Sequence, residues 1–298
     1  MGLIAKLNLA GLRAKFNLVI LAAFAIGFLV AAIVLQRVFA DNAREQVLQN
    51  ARIMMTAANA IRSYTSSELV PLLPLERDGK FVAETVPAYA AQRNFRAFRD
   101  VFAGYSYKEP TLNPTNLADR AQDWESDIIN KFRNDTQQQE LVTERETATG
   151  LLMHLARPIV IRGETCLGCH SAPSVAPAAL IRTYGSAHGF GWKLDETVGA
   201  QIVTVPMDVA FKLAREAYFK FLIILVGVFA LIFVVLNLLL HYLVIKPVKK
   251  VSAIADRVSL GDEHAEVYVK PGRDEISSLS VSFNRMRESL KHAMEMLK

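Results

Sequence analysis

Two unbroken apolar runs divide the chain. Leu18 to Leu35 is a stretch of 18 apolar residues without a charge, and Phe221 to Leu240 is a stretch of 20 uncharged residues interrupted only by Asn237. Each is long enough to cross the hydrocarbon core of a bilayer as a helix, which closes every backbone hydrogen bond internally. The first run exceeds the apolar core of a cleaved signal peptide and reads as a retained anchor. The second is too continuous for a buried core helix.

Between the runs the pattern becomes mixed. Asp41 to Ser67 has apolar residues at Val47, Met54, Ala58 and Ile61 and no proline before Pro71, which predicts a long helix continuing the first run and ending at Pro71 and Pro74. Lys80 to Val86 alternates weakly, as a strand would. Pro87 to Phe102 carries Tyr89, Phe95, Phe98 and Phe102 at near-helical spacing, the pattern of a packed helix face. The turn formers Asn113-Pro114-Thr115-Asn116 are followed by Asp123-Trp124-Glu125, the start of a short helix. Leu151 to Ile161 reads as a strand with a break at Pro158 near an edge, and Val198 to Val205 as a central strand. Met207 to Lys220 is a helix that leads into the second run.

After the second run the period changes again. Val244, Val248, Val251, Ala255 and Val258 are spaced 4, 3, 4, 3, and Ile276, Leu279, Phe283, Met286 and Leu290 are spaced 3, 4, 3, 4. These are two short heptad seams joined by a connector containing Gly261, Pro271 and Gly272. Neither is long enough to be stable alone, so the pattern predicts a parallel helix pair per chain and a four-helix coiled coil in a homodimer.

Basic residues orient the runs. Lys6, Arg13 and Lys15 precede the first, and Lys246, Lys249 and Lys250 follow the second. By the positive-inside bias both ends are cytoplasmic and the long middle segment is periplasmic, in a protein of the inner membrane. The net charge of +5 follows from these flanks and calls for no nucleic-acid partner; membrane lipid is the partner it implies. The expected division is a basic lead-in over 1–15, a transmembrane helix over 16–38, a periplasmic domain over 39–218, a second transmembrane helix over 219–241 and a coiled-coil region over 242–298.

The middle segment holds the one motif with strong chemistry. Cys166-Leu167-Gly168-Cys169-His170 contains the only two cysteines of the 298 residues. Two thiols one helical turn apart can each add to a vinyl group of haem, and the adjacent histidine then offers a ring nitrogen to the iron. The pattern predicts one covalent haem c, with Cys166 and Cys169 as attachment points and His170 as the proximal ligand. A redox disulfide or a zinc site uses the same residue types. The first usually opens a helix in a βαβ pattern, and the second needs a further ligand pair. A periplasmic location is where covalent haem attachment takes place, so location and motif agree. No nucleophile–base set or second metal site accompanies the motif, so no enzymatic activity is expected.

Two resemblances follow from particular residues. Pro247, Asp274-Glu275-Ile276 and Ser282-Phe283-Asn284-Arg285-Met286 make residues 242–295 resemble a HAMP domain. That resemblance implies signal transmission from a transmembrane helix to a cytoplasmic output.

Residues 42–208 resemble the periplasmic PAS-like domains that carry one c-type haem and often precede a HAMP domain. The residues that carry this are Ile61-Arg62-Ser63-Tyr64-Thr65, Val86-Pro87-Ala88, Asn113-Pro114-Thr115-Asn116 through Trp124-Glu125, Arg157-Pro158, the Cys166–His170 motif, Tyr184-Gly185, Val198-Gly199-Ala200 and Val205-Pro206. The implied fold class is α+β: two transmembrane helices bracket a curved antiparallel sheet flanked by helices, with haem against the sheet, and a cytoplasmic HAMP coiled coil follows.

At least one haem protein of this type uses an upstream cysteine as distal ligand, and this chain has no third cysteine. Met54, Met55, Met153, His154 and His188 are the distal candidates, with an open or water-filled position as the alternative. Together the motif, the two runs and the HAMP-like tail imply a haem-based redox or gas sensor that signals through its transmembrane helices. The sequence reaches Lys298 just past the second seam, so the expected output is a cytoplasmic signalling partner. The rival expectation is a membrane-anchored cytochrome that passes electrons to a periplasmic donor or acceptor, alone or within a larger membrane complex.

Overall fold

The computed structural model describes residues 11–262 and 265–297. Most of the expected lead-in, including Lys6, lies outside the described residues, as do 263, 264 and 298 of the tail. Two compact units are present: residues 37–217, and residues 1–36 together with 218–298.

Helix α1 runs Leu12–Tyr64 and closes in a π-helical turn, Thr65–Leu69. It is proline-free throughout, as the pattern requires, and Pro71 follows its end. In the first unit α1 and α2 (Pro87–Val101) cover one face of a four-stranded antiparallel sheet. Helix α3 (Asp123–Asn134) covers the other face. The sheet order is β3–β6–β5–β4, where β3 is Ser106–Lys108, β4 Leu141–Thr147, β5 Gly150–Val160 and β6 Thr197–Pro206.

Strand alternation produces the layers. Met153 and Leu155 of β5 pack with Val203 and Val205 of β6 against Val47, Ala51, Met54, Met55 and Ala58 of α1 and Phe95 of α2. Ala156, Ala200 and Ile202 point the other way, onto Ile128, Ile129 and Phe132 of α3. Strand β6 is buried along both faces, as expected for the predicted central strand. At Gly199 the loop at Pro110–Thr111 comes so close that an added Cβ would lie 2.5 Å from the Pro110 carbonyl oxygen.

Several expected elements differ. The strand over Lys80–Val86 shrinks to β2 (Lys80–Phe81), paired with β1 (Glu76–Arg77) across Asp78-Gly79. Both turn residues have positive φ (52° and 76°), the geometry of a tight hairpin turn, and a 3-10 turn at Ala83–Thr85 then breaks the alternation. Strand β5 is interior and unbroken at Pro158; β4 ends opposite Ala156, so the proline sits where no strand needs its missing N–H on that side. A register shift follows at Ile159/Val160. Of the aromatics in and just after α2, Phe95 is core, whereas Phe98 and the C-cap residue Phe102 are exposed and stack on each other.

In the second unit the apolar part of α1 and α6 (Asp208–Leu239) are long and apolar enough to cross a membrane, and their apolar windows are not buried. Phe24 stacks on Phe229 with ring centroids 4.8 Å apart. A π-helical turn, Leu240–Ile245, leads into α7 (Lys246–Ser259), and α8 spans Glu275–Leu297. Asp274 caps α8 by accepting from the Ser277 N–H at 2.7 Å. The connector is strapped along α8: the Lys270 N–H donates to Ser280 Oγ, Asn284 Nδ2 to the Tyr268 carbonyl and an Arg287 Nη1–H to the Ala265 carbonyl.

Candidate functional site

Cys166-Leu167-Gly168-Cys169-His170 forms most of a short helix, α4 (Glu164–His170), entered from Gly163 in an extended conformation and followed by α5 (Ala178–Tyr184). Two thiols three positions apart on a helix share a face. Both are free and half-buried. Burial, with the neighbouring Cys166, pushes the Cys169 thiol up.

His170 is held from several sides. Its Nδ1 lies 2.8 Å from the Gly189 carbonyl oxygen and 3.4 Å from Thr115 Oγ1. A carbonyl can only accept, so Nδ1 carries the proton and Nε2 keeps its lone pair. Trp192 stacks on the imidazole, centroids 4.0 Å apart and planes 12° apart. The Gly191 and Trp192 N–H groups donate to the Ser171 and His170 carbonyls. Burial lowers the His170 pKa and outweighs the opposing Gly189 hydrogen bond, so the ring stays in the neutral form that metal coordination uses.

The Asn113–Asn116 turn supports this cradle. Asn113 Nδ2 donates to the Phe190 carbonyl and Asn113 Oδ1 accepts from the Gly189 N–H, both at 3.2 Å. Gly189 has φ +83°, and an added Cβ would meet Thr115 Oγ1 at 2.0 Å. Cys166, Cys169 and His170 do not converge on a point that could bind an ion directly. Among the described residues no group of three or more His, Cys, Asp or Glu side chains does. Thiols on one helix face and a ring nitrogen held separately suit attachment to a large planar group better than shared coordination of one ion.

A cleft of about 470 Å³ opens between α1 and the end of the sheet. Pro158, Ile159 and Val160 make its apolar wall; Asn59, Arg62, Arg157, Arg162 and Gln201 are among its polar lining. A hydrogen-bond chain closes its floor. Gln201 Nε2 donates to Asn59 Oδ1 (2.8 Å) and to Tyr107 Oη (2.9 Å), and Tyr107 donates to Glu109 Oε1 (2.7 Å). Glu109, 4% exposed, also pairs with Arg62. Burial works against the Arg62 charge, but Glu109 outweighs it and holds the guanidinium pKa up, with a further contribution from Cys166. Burial and the Glu109 charge push the Tyr107 phenol far up, keeping it a neutral donor. At the other end Glu140 bridges Arg157 and Arg52 at 2.8 and 3.0 Å; burial would raise its carboxyl pKa, yet these hydrogen bonds hold it below the ordinary value.

The five distal candidates are not brought together. Met54, Met55 and Met153 are packed in the core beneath α1. His154 lies on the opposite face of the sheet, donating or accepting through Nδ1 with Thr204 Oγ1 at 2.9 Å and packed on Trp124. His188 is half-buried, adjacent to Gly189. None of the five lines the cleft.

Sequence reasoning did not single out Trp192, nor Glu109, Tyr107 and Gln201. The glycine-rich stretch at Gly185–Gly191 and the Asn113–Asn116 turn were visible, but their joint role in holding His170 was not.

The sequence profile of the Tll0287-like family matches residues 40–206, and that of the HAMP domain matches residues 239–292. No curated protein matches the chain. Among solved structures, the crystal structure of the cyanobacterial heme-protein Tll0287 is similar, with 17% identity, a TM-score of 0.42 and coverage of 54% of this chain and 95% of that one.

Proposed function

This chain belongs to the Tll0287-like family, and on that basis we propose that it is a membrane-bound haem receptor that signals through its HAMP domain. In this reading Cys166 and Cys169 carry one haem as thioethers, His170 is the proximal ligand through Nε2, and the domain faces the periplasm with both chain ends cytoplasmic. The observation that carries it is the His170 Nδ1–Gly189 contact at 2.8 Å, which leaves Nε2 free one residue from a half-buried pair of thiols. That is how metal-binding histidines are generally held. When bound, haem would supply a redox-active iron.

The chain's own residues fit a sensor better than an electron carrier. An electron carrier keeps two firm axial ligands, and the five distal candidates are divided between the α1 core, the α3 face of the sheet and the segment before Gly189. The cleft presents Asn59 and Arg62, both on α1, tied to the sheet through Gln201, Tyr107 and Glu109. A change of charge or ligand there would compete for those hydrogen bonds and shift α1, which is one of the two candidate spans. The HAMP region would receive the shift as a homodimer and pass it to a cytoplasmic partner.

The test is the visible spectrum of the detergent-purified chain, produced in a host that matures c-type haem, taken oxidised, reduced and reduced with carbon monoxide. Covalently bound haem whose spectrum shifts with carbon monoxide is expected. Absence of covalent haem overturns the reading, and a low-spin spectrum indifferent to carbon monoxide transfers it to electron transfer.

A further inference from the structure

We propose that the cleft between α1 and the end of β5 is a carboxylate-binding site, built to hold a ligand that carries two acid groups. The inference rests on the charge inventory of the cleft and goes beyond the assignment of Cys166, Cys169 and His170.

Four guanidiniums, those of Arg52, Arg62, Arg157 and Arg162, lie in the cleft wall or pair directly with it, against two carboxylates, Glu109 and Glu140. Glu109 is fully engaged by Arg62 and Tyr107. Glu140 is shared between Arg52 and Arg157, so one carboxylate serves two guanidiniums. Arg162 has no ion pair or hydrogen bond among the described residues, although it lines the same cleft. The cleft and its partners therefore carry two positive charges in excess, and Arg162, the guanidinium without a partner, is exposed at the cleft's edge, where salt screens it.

Guanidinium is the side chain whose planar fork matches a carboxylate bidentately. Arg62 sits on α1 and Arg157 on β5, each already paired, whereas Arg162, the fork left over, lies on the segment that leads from β5 to α4. Pro158, Ile159 and Val160, between Arg157 and Arg162 in the chain, add apolar lining. The occupant that fits is amphiphilic, with an apolar body and acid groups. Two sources share that chemistry: the two carboxylates of a haem anchored at Cys166, four residues after Arg162, and a free small dicarboxylate. The first source rests on the reading above; the second does not.

The experiment uses succinate as probe and calorimetry on the full detergent-purified chain. It compares the haem-loaded protein, the Cys166→Ala/Cys169→Ala chain free of haem, and Arg162→Gln and Arg162→Lys in both. Arg162 is exposed and unpaired, so these variants are expected to fold. If haem carboxylates occupy the cleft, the haem-loaded protein ignores succinate while the haem-free chain binds it. Arg162→Gln then weakens that binding about tenfold, Arg162→Lys recovers part of it, and in the loaded protein Arg162→Gln moves the reduction potential negative. If a free dicarboxylate is the ligand, the haem-loaded protein itself binds succinate with the same dependence on Arg162. Binding by neither form, or binding that Arg162→Gln leaves unchanged, overturns the site. A chain that takes up no haem but binds succinate through Arg162 removes the receptor reading and leaves this site standing.

Discussion

The Gly189 carbonyl oxygen sits 2.8 Å from His170 Nδ1, and the residue that supplies it has φ +83°. The tautomer of the motif histidine is thus set by a backbone group that only glycine places without strain. Gly189→Ala would force a Cβ to within 2.0 Å of Thr115 Oγ1 and 2.8 Å of Thr115 Cα. The loop must retreat, and it takes the His170 acceptor with it. A loss of about 1 to 3 kcal/mol in unfolding free energy is expected, with a high-spin component in the spectrum of the haem-loaded chain. An unchanged spectrum and unfolding midpoint would remove Gly189 from the site.

Arg62 and Glu109 form a largely buried pair, and Glu109 also takes the Tyr107 hydroxyl hydrogen. Removing one partner leaves a charge with nothing to balance it. Glu109→Gln should cost about 3 kcal/mol, while Arg62→Met/Glu109→Leu together should cost clearly less, because the desolvation penalty disappears with the charges. Urea unfolding of both variants against the parent decides this. Equal losses would mean the pair acts by packing alone.

How much of this was legible depends on distance along the chain. The apolar runs and β6 are local signals, and α1, α6 and β6 appear where the pattern put them. Strand β4 was missed because it is an edge strand whose Thr143–Glu146 stretch is polar and largely exposed; Glu144 answers Arg44, 100 positions away. The hairpin at Asp78-Gly79 carried a turn signal, but its strands are two residues long. The cysteines and histidine needed no structure to be found. The distal candidates were chosen by element type, and strand parity then divided them: Met153 faces the α1 core, while His154 next to it faces α3. The cleft was invisible because its contacts, such as Asn59 with Gln201, join residues 142 positions apart.

His154 is 3% exposed, and its Nε2 has no hydrogen-bond partner among the described residues. Burial, and then the charge of Arg145, push its pKa down to about 4 from 6.5. Between those values the unfolded chain binds a proton that the folded chain refuses. Stability is therefore full above about pH 6.5 and falls as the pH drops toward 4, by up to about 3 kcal/mol. Thermal unfolding of the parent and of His154→Phe between pH 7 and pH 4.5 separates this from other carboxylate effects. The parent should lose more stability over that interval. Parallel curves would show that His154 titrates normally.

The second heptad seam leaves its own chain uncovered. Ser277 and Ser280 of α8 are buried, and Ser280 meets the connector through Lys270. Leu279, Met286 and Leu290 remain 47%, 62% and 49% exposed. Covering such side chains is worth about 1.5 to 3 kcal/mol each, and a second copy of the seam is the surface that matches their period. Met286→Cys, placed in the Cys166→Ala/Cys169→Ala background so that it is the only thiol, should form a covalent dimer on mild oxidation in membranes. Adding Leu279→Glu and Leu290→Glu should abolish that dimer by placing like charges across the seam. A chain that stays monomeric under oxidation, or one whose cross-linking ignores the two glutamates, would place the dimer contact elsewhere than α8.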